Sequence, residues 1–278
     1  MRTLAAELFK EMIARPDEQV DLASATLLIA LDEYPALDIQ KYLREIDDLA
    51  SAVQSEADWP AENTRGAIEK LNRFLFRTKG FRGNHADYYD PRNSYLNEVL
   101  ERRLGIPITL SVLFMEVGRR LGLRVEGVGM PGHFIVKCVE NDREILVDPF
   151  TQGEILLEAE CRRRMEQQFG ASLRFDRSFL DSVNKHQILT RMLRNLKGIY
   201  WERGEFRKAV GVLDKILLLN PEGSSEFRDR ATAHFKLSNF SLALADWVRY
   251  LEMEPQAKGI EEIKRQMNIA GRLLALRN

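Results

Sequence analysis

The sequence predicts an α+β fold: helices first, then short antiparallel strands around one buried helix, then a helical repeat array. Three patterns carry that expectation. Apolar residues recur at helical spacing through most of residues 22–76, alternation replaces that period between about 124 and 148, and the chain repeats itself every 34 residues beyond residue 186. The expected boundaries are an N-terminal helical region at 1–76, a core at 77–160, a connecting segment at 161–185 and the repeats at 186–278.

Bulk properties narrow the function classes. The 278 residues are 30% charged with a net charge of -1, which gives no electrostatic case for a nucleic acid or an anionic membrane as partner. The run Arg162-Arg163-Arg164 reads as a solvated helix face. Cys138 and Cys161 form no CxxC pair, so neither a disulfide scaffold nor a zinc site is expected, and no metal or cofactor is implied. The first residues carry acids among their apolar positions and hold no signal-peptide core, and no window approaches a membrane span. A soluble cytoplasmic protein is the expectation.

In the first region Leu22, Thr26, Ile29 and Ala30 mark a helix that Pro35 ends. Asp38 is placed to cap a second, carrying Ile39, Tyr42, Leu43, Ile46 and Leu49. A third runs from Ala61 to Phe76, with Ile68, Leu71, Phe74 and Leu75 on one side. Residues 77–94 then break the pattern with glycines, asparagines, aspartates and a proline, and a loop this long is a place to expect function. Asn93 or Ser94 can cap a helix from Tyr95 to Leu104.

Pro107 suits the first position of the next helix, where its missing N–H costs nothing. Leu110, Leu113, Phe114, Val117 and Leu121 form the apolar stripe, Arg119 and Arg120 face away, and Gly122 ends the element. Strands follow at 124–130, 133–139 and 144–148. A two-residue turn at Asn141-Asp142 pairs Glu140 with Arg143 and therefore Ile135 with Asp148. Alternation sets His133, Ile135 and Lys137 on one face, with Phe134, Val136 and Cys138 on the other. Asp148 then lies diagonally from His133 on the same face, within side-chain reach. A slip of one residue would separate them.

Gly204 and Ser238, Phe206 and Phe240, Ala209 and Ala243, and Pro221 and Pro255 are each 34 apart, the tetratricopeptide period. Tyr200 matches His234 and Leu213 matches Trp247, while the amphipathic segment 260–276 suits a capping helix.

A helix N-terminus, a histidine strand and an aspartate strand, in that order, frame a thiol acyl-transfer site, with histidine as base and aspartate fixing its tautomer. The thiol is missing. The run GFRGNHADYYDPRNSYLNEVLERRLGIPITLS, followed by GVGMPGHFIVK and VDPF, resembles the SirB-type branch of the transglutaminase-like superfamily. That resemblance implies a papain-like transglutaminase core with a small antiparallel sheet, preceded by helices and followed by α-helical tetratricopeptide repeats. It aligns Gly105 with the superfamily's glycine, His133 with the base and Asp148 with the orienting acid, but puts Pro107 where the cysteine belongs. The same domain type occurs within an F-box ubiquitin-ligase subunit.

Ser111, one turn beyond Pro107, is the best replacement nucleophile by position, against which stands the ordinary packing role of a small residue in a buried helix. Thr109 points half a turn away and suits a backbone carbonyl. Cys138 reads as a core residue. His133 with Asp148 either locks the hairpin or lines a ligand site. Arg82, Asn84, Asn93, Asn97 and Pro107 are the expected cleft residues, although loop asparagines more often satisfy turn backbones. The leading reading is a bacterial pseudoenzyme, a non-catalytic scaffold or binding protein whose repeat groove takes a protein or peptide. The alternative is a hydrolase or acyl-transferase using His133 and Asp148 with Ser111 or an activated water.

Overall fold

The computed structural model describes residues 4–55, 63–140 and 143–276, and places them in an α+β fold. Contacts divide the chain into two compact units, Glu11–Met192, and Met1–Lys10 together with Leu193–Asn278.

The first unit opens with most of the segment joining α1 (Leu4–Ile13) to α2 (Leu22–Ala30) and α3 (Ile39–Ser55). Asp21 caps α2 by accepting from Ser24 N at 2.7 Å, and Asp38 caps α3 by accepting from Lys41 N at 3.1 Å. Helix α2 stops at Ala30, five residues short of Pro35, because residues 31–33 already form turns. Helix α4 (Thr64–Asn72) starts later than the pattern suggested, where Asn63 accepts from Gly66 N. Residues 61 and 62 lie outside the described residues. Residues 73–78 continue it as a π-helical turn.

The expected long loop is held down at both ends. Strand β1 (Arg82–Gly83) pairs in parallel with β2 (Leu104–Gly105), and Pro91–Ser94 is a 3-10 turn capped by Asp90. Neither Asn93 nor Ser94 caps α5 (Leu96–Arg102), whose N-cap is Tyr95 without a side-chain bond. That helix ends two residues early because Arg103 turns left-handed, at φ 59°, to start β2.

Helix α6 (Pro107–Arg120) is buried nearly all round rather than along one stripe, since it packs against α2, α3, α5 and the sheet. Arg120 does not simply face away: it reaches Glu116 and Asp47. The sheet is antiparallel throughout, in the order β6-β5-β4-β3-β7, with β3 (Val125–Val128), β4 (Ile135–Glu140), β5 (Arg143–Asp148), β6 (Glu154–Leu156) and β7 (Ser182–Val183). Both faces of β4 are covered. Val128, Ile135, Leu146 and Leu156 cluster on one face with Cys161 of α7 (Glu158–Phe169) and Leu180. The Glu140↔Arg143 register is as expected, while the Asn141-Asp142 turn lies outside the described residues. His133 sits two residues before β4, not within it.

Helix α8 (Lys185–Glu202) leads into the second unit, which continues with α9 (Phe206–Leu219), α10 (Ser224–Lys236), α11 (Phe240–Met253) and α12 (Ile260–Ala275). The 34-residue period is visible in the backbone: α9 and α11 start and stop 34 residues apart, and Gly204 (φ 68°) and Ser238 (φ 60°) take the same left-handed turn before them. Ala209, Leu213, Ala243 and Trp247 are fully buried at matching positions. Ile263 and Ala270 of α12 close the apolar cluster that contains Trp247. Trp247→Ala empties the middle of that cluster, so it is expected to cost roughly 3–5 kcal/mol, read as a lower urea midpoint with the slope unchanged. A loss below about 1 kcal/mol would show that the cluster does not hold the array together.

Candidate functional site

Asp148 is the centre of the site. It ends β5 with no solvent exposure, and its carboxylate accepts from three groups. His133 Nε2 lies 2.9 Å from Oδ2, Arg164 Nη1 donates to the same oxygen at 3.0 Å, and Phe150 N donates to Oδ1 at 3.0 Å. Its backbone carbonyl takes Gly153 N. Burial pushes the carboxyl up, but the His133 bond and charge and the Phe150 N–H outweigh it and hold the group below the usual carboxylate range. Arg164 comes from α7 and also pairs with Glu154. It is therefore not part of a solvated face as its sequence neighbourhood suggested, although Arg163 beside it does point outward.

His133 keeps one nitrogen for other work. Nε2 faces the Asp148 carboxylate, and Nδ1 has no partner among the described residues. The side chain is 25% exposed. Its backbone carbonyl accepts from Arg191 of α8, which also bonds Met130 O, so the turn before β4 is clamped from a second element.

Phe150 links this pair to the start of α6. A Cβ on Gly83 would come within 2.5 Å of the Phe150 ring, and Gly83 pairs with Gly105, two residues before Pro107. On its other sides the ring meets His133 (centroids 6.1 Å), His85 (4.5 Å) and Tyr88 (6.1 Å). The loop that presents His85 and Tyr88 is braced by asparagines. Asn84 donates to Asn93 Oδ1 at 3.0 Å and accepts from Asp87 N, while Asn93 donates to Asp87 O and Tyr88 O. Thr109 Oγ1 ties the loop to α6 by donating to Asn93 O at 2.7 Å and accepting from Ile106 N.

The expected residues therefore divide. His133 and Asp148 come together. Asn84 and Asn93 satisfy loop backbone, and Arg82 is exposed on β1. Pro107 is the buried first residue of α6, and Asn97 is buried with Oδ1 lacking a hydrogen bond. Ser111 is fully buried and its Oγ makes no hydrogen bond, so no base is in reach of it. Cys138 and Cys161 are enclosed, and burial pushes their thiols up to about 12 and about 11. Among the described residues no group of three or more His, Cys, Asp or Glu is arranged to hold a metal ion, and no helix is long and apolar enough to cross a membrane. Sequence reasoning missed Arg164, Phe150, His85, Tyr88 and Arg191. Phe150, inside the VDPF run, and His85 and Tyr88, inside the GFRGNHADYYDPRNS run, carried a signal that could have found them; Arg164 and Arg191 carried none.

Comparison with known proteins decides the family. The sequence profile of the transglutaminase-like superfamily matches residues 40–194, and a tetratricopeptide-repeat profile matches 196–268. A UPF0162 protein of Xylella fastidiosa is 38% identical over 268 residues, spanning 94% of each chain. The chain belongs to the transglutaminase-like superfamily, among the UPF0162 proteins. Human F-box only protein 21 is 27% identical over 239 residues, covering 82% of this chain and 35% of that one. A crystal structure of menin aligns over 94% of this chain and 73% of its own, at 13% identity and a TM-score of 0.43.

Two measurements check this transglutaminase-like site. A thiol reagent at pH 8 is expected to leave Cys138 and Cys161 unlabelled in the folded protein and to label both after denaturation, and rapid native labelling would contradict their burial. Asp148→Asn removes the buried carboxylate that His133 and Arg164 share, leaves Arg164 only Glu154, and is expected to cost about 3 kcal/mol at pH 7. Because the folded carboxyl titrates below its unfolded value near 3.9, the contribution is complete above about pH 5 and is lost as pH falls through the folded value. The stability gap between wild type and variant should narrow in acid, and a gap that stays constant down to about pH 2 would remove the carboxylate's charge from the explanation.

Proposed function

We propose that this protein is a non-catalytic transglutaminase-like binding protein in the cytoplasm, in which the surface around His133 holds a ligand and the repeats engage a protein partner. The observation that carries this reading is the start of α6. Pro107 occupies its first position, where the resemblance puts the nucleophile, and the ring offers no atom that can attack a carbonyl. Both thiols are buried, and Ser111 Oγ makes no hydrogen bond. Repeats of this type generally mediate contacts between proteins, through the concave surface that stacked helix pairs create. A net charge of -1 favours a protein over a nucleic acid or an anionic membrane.

One observation favours the second reading, a hydrolase or acyl-transferase. The His133–Asp148 pair has the hydrogen bond a general base needs, with Nδ1 open to a water. The purified protein is therefore assayed against amide, ester and thioester panels, with covalent probes alongside. No turnover and no labelling is the expected result. Turnover that disappears in His133→Ala while the fold persists would overturn the non-catalytic reading. Recovery of the partner by affinity capture from native cytoplasm, compared with a chain lacking the repeats, tests the scaffold half.

A further inference from the structure

One arginine beside His133 has no counter-ion among the described residues. Arg191 donates to Met130 O at 2.8 Å and to His133 O at 2.7 Å, and its guanidinium stands 5.4 Å over the Phe134 ring. These bonds use two of its five N–H donors. No carboxylate among the described residues pairs with it, whereas Arg164 and Arg102 each meet buried aspartates. Burial pushes its pKa down, so water compensates the charge poorly. A half-buried cation without an anion is partly desolvated, and an arriving anion offsets that cost.

A second observation comes from the loop that carries Tyr88 and Tyr89. Tyr88 and Tyr89 meet edge to face at 5.3 Å, and Tyr89 is 71% exposed. Burial, with Tyr89, raises the Tyr88 phenol, while the Arg191 charge acts on it in the opposite sense. Tyr88 leads through Phe150 to the His133 ring. Arg191, the Tyr88–Tyr89 pair and His133 are thus joined by one run of contacts, Arg191 on the His133 carbonyl and Tyr88 through Phe150 on the His133 ring.

We propose that Arg191, Tyr88, Tyr89 and His133 bind the free C-terminal carboxylate of a peptide ending in an aromatic residue. The guanidinium fork takes the carboxylate, as its planar geometry favours. The tyrosine rings take the terminal side chain, edge-on or offset. Nδ1 of His133, an acceptor while Nε2–H points at Asp148, takes the amide N–H of the last residue. This inference rests on reading the His133 surface as a binding site rather than a reacting one.

The test uses N-acetyl-L-tyrosine and N-acetyl-L-tyrosinamide, which differ only in the carboxylate, titrated at pH 7 into the full-length protein and followed by NMR. The acid is expected to bind at least about tenfold more tightly than the amide, shifting the Arg191 side-chain signal and the backbone signals of Tyr88 and Tyr89. Arg191→Lys, which keeps charge but loses the fork, should remove most of that preference. Tyr89→Ala, at an exposed position, should weaken both probes alike. Equal binding of acid and amide overturns the proposal, as does no binding of either up to about 10 mM, or a preference that survives both substitutions. Should Arg191→Lys fail to fold, the acid–amide comparison on the native protein and Tyr89→Ala still decide. Each of these failures leaves the turnover result untouched, so the non-catalytic reading stands or falls separately.

Discussion

A carboxylate removed from water has to be satisfied by its neighbours, and in this molecule that requirement ties most of the first unit together. Asp148 recruits His133 from before β4, Arg164 from α7 and the backbone of the turn that follows β5. Each donor constrains a different element. The register of β4 on β5 has to hold, because moving it by one residue would turn Asp148 to the opposite face, away from His133 and Arg164. Helix α7 has to lie across the Ile135 face, where Cys161 and Met165 bury its inner side, or Arg164 would not arrive. The polar cluster and the apolar cluster beside it therefore specify the same arrangement.

The fold was legible where a single physical period dominates. Residues 204–255 repeat their small, aromatic and helix-breaking positions together, and matching left-handed turns at Gly204 and Ser238 follow from that. The hairpin was legible for a different reason. A two-residue turn admits one register, so Glu140↔Arg143 brought His133 and Asp148 together before any coordinates. Element ends were less readable. Arg103 leaves the helix because β2 needs it to pair with β1, a tertiary demand that local propensity does not carry. The same holds for the capping of α6, which Thr109 supplies from inside the helix instead of a residue before it.

The site was half legible. A histidine and an aspartate on adjacent strands announce themselves by spacing. Arg164 does not, because within three consecutive arginines only the contact with Asp148 distinguishes the one that turns inward. Arg191 is hidden for a related reason: its partners are carbonyls, which every residue has, so no pattern of side chains marks it. The loop asparagines show the reverse error. Polar residues in an irregular segment invite a ligand, yet Asn84 and Asn93 spend their amides on each other and on the loop backbone.

Pro107 and Arg164 are far apart in sequence but chemically concordant. In a thiol acyl-transfer site the aspartate's charge stabilises the imidazolium that forms as the thiol gives up its proton. An aspartate already paired with a guanidinium has less of that charge to lend, because Arg164 and His133 share one oxygen of Asp148. A working triad would lose basicity at its histidine under this arrangement. Without a thiol to deprotonate, nothing is lost, and the arginine gains a buried partner that fixes α7 on the sheet. The proline at the helix start and the arginine on the aspartate thus favour the same use of this pocket: a rigidly held imidazole offered to a ligand, beside aromatic rings, rather than a base waiting for a nucleophile.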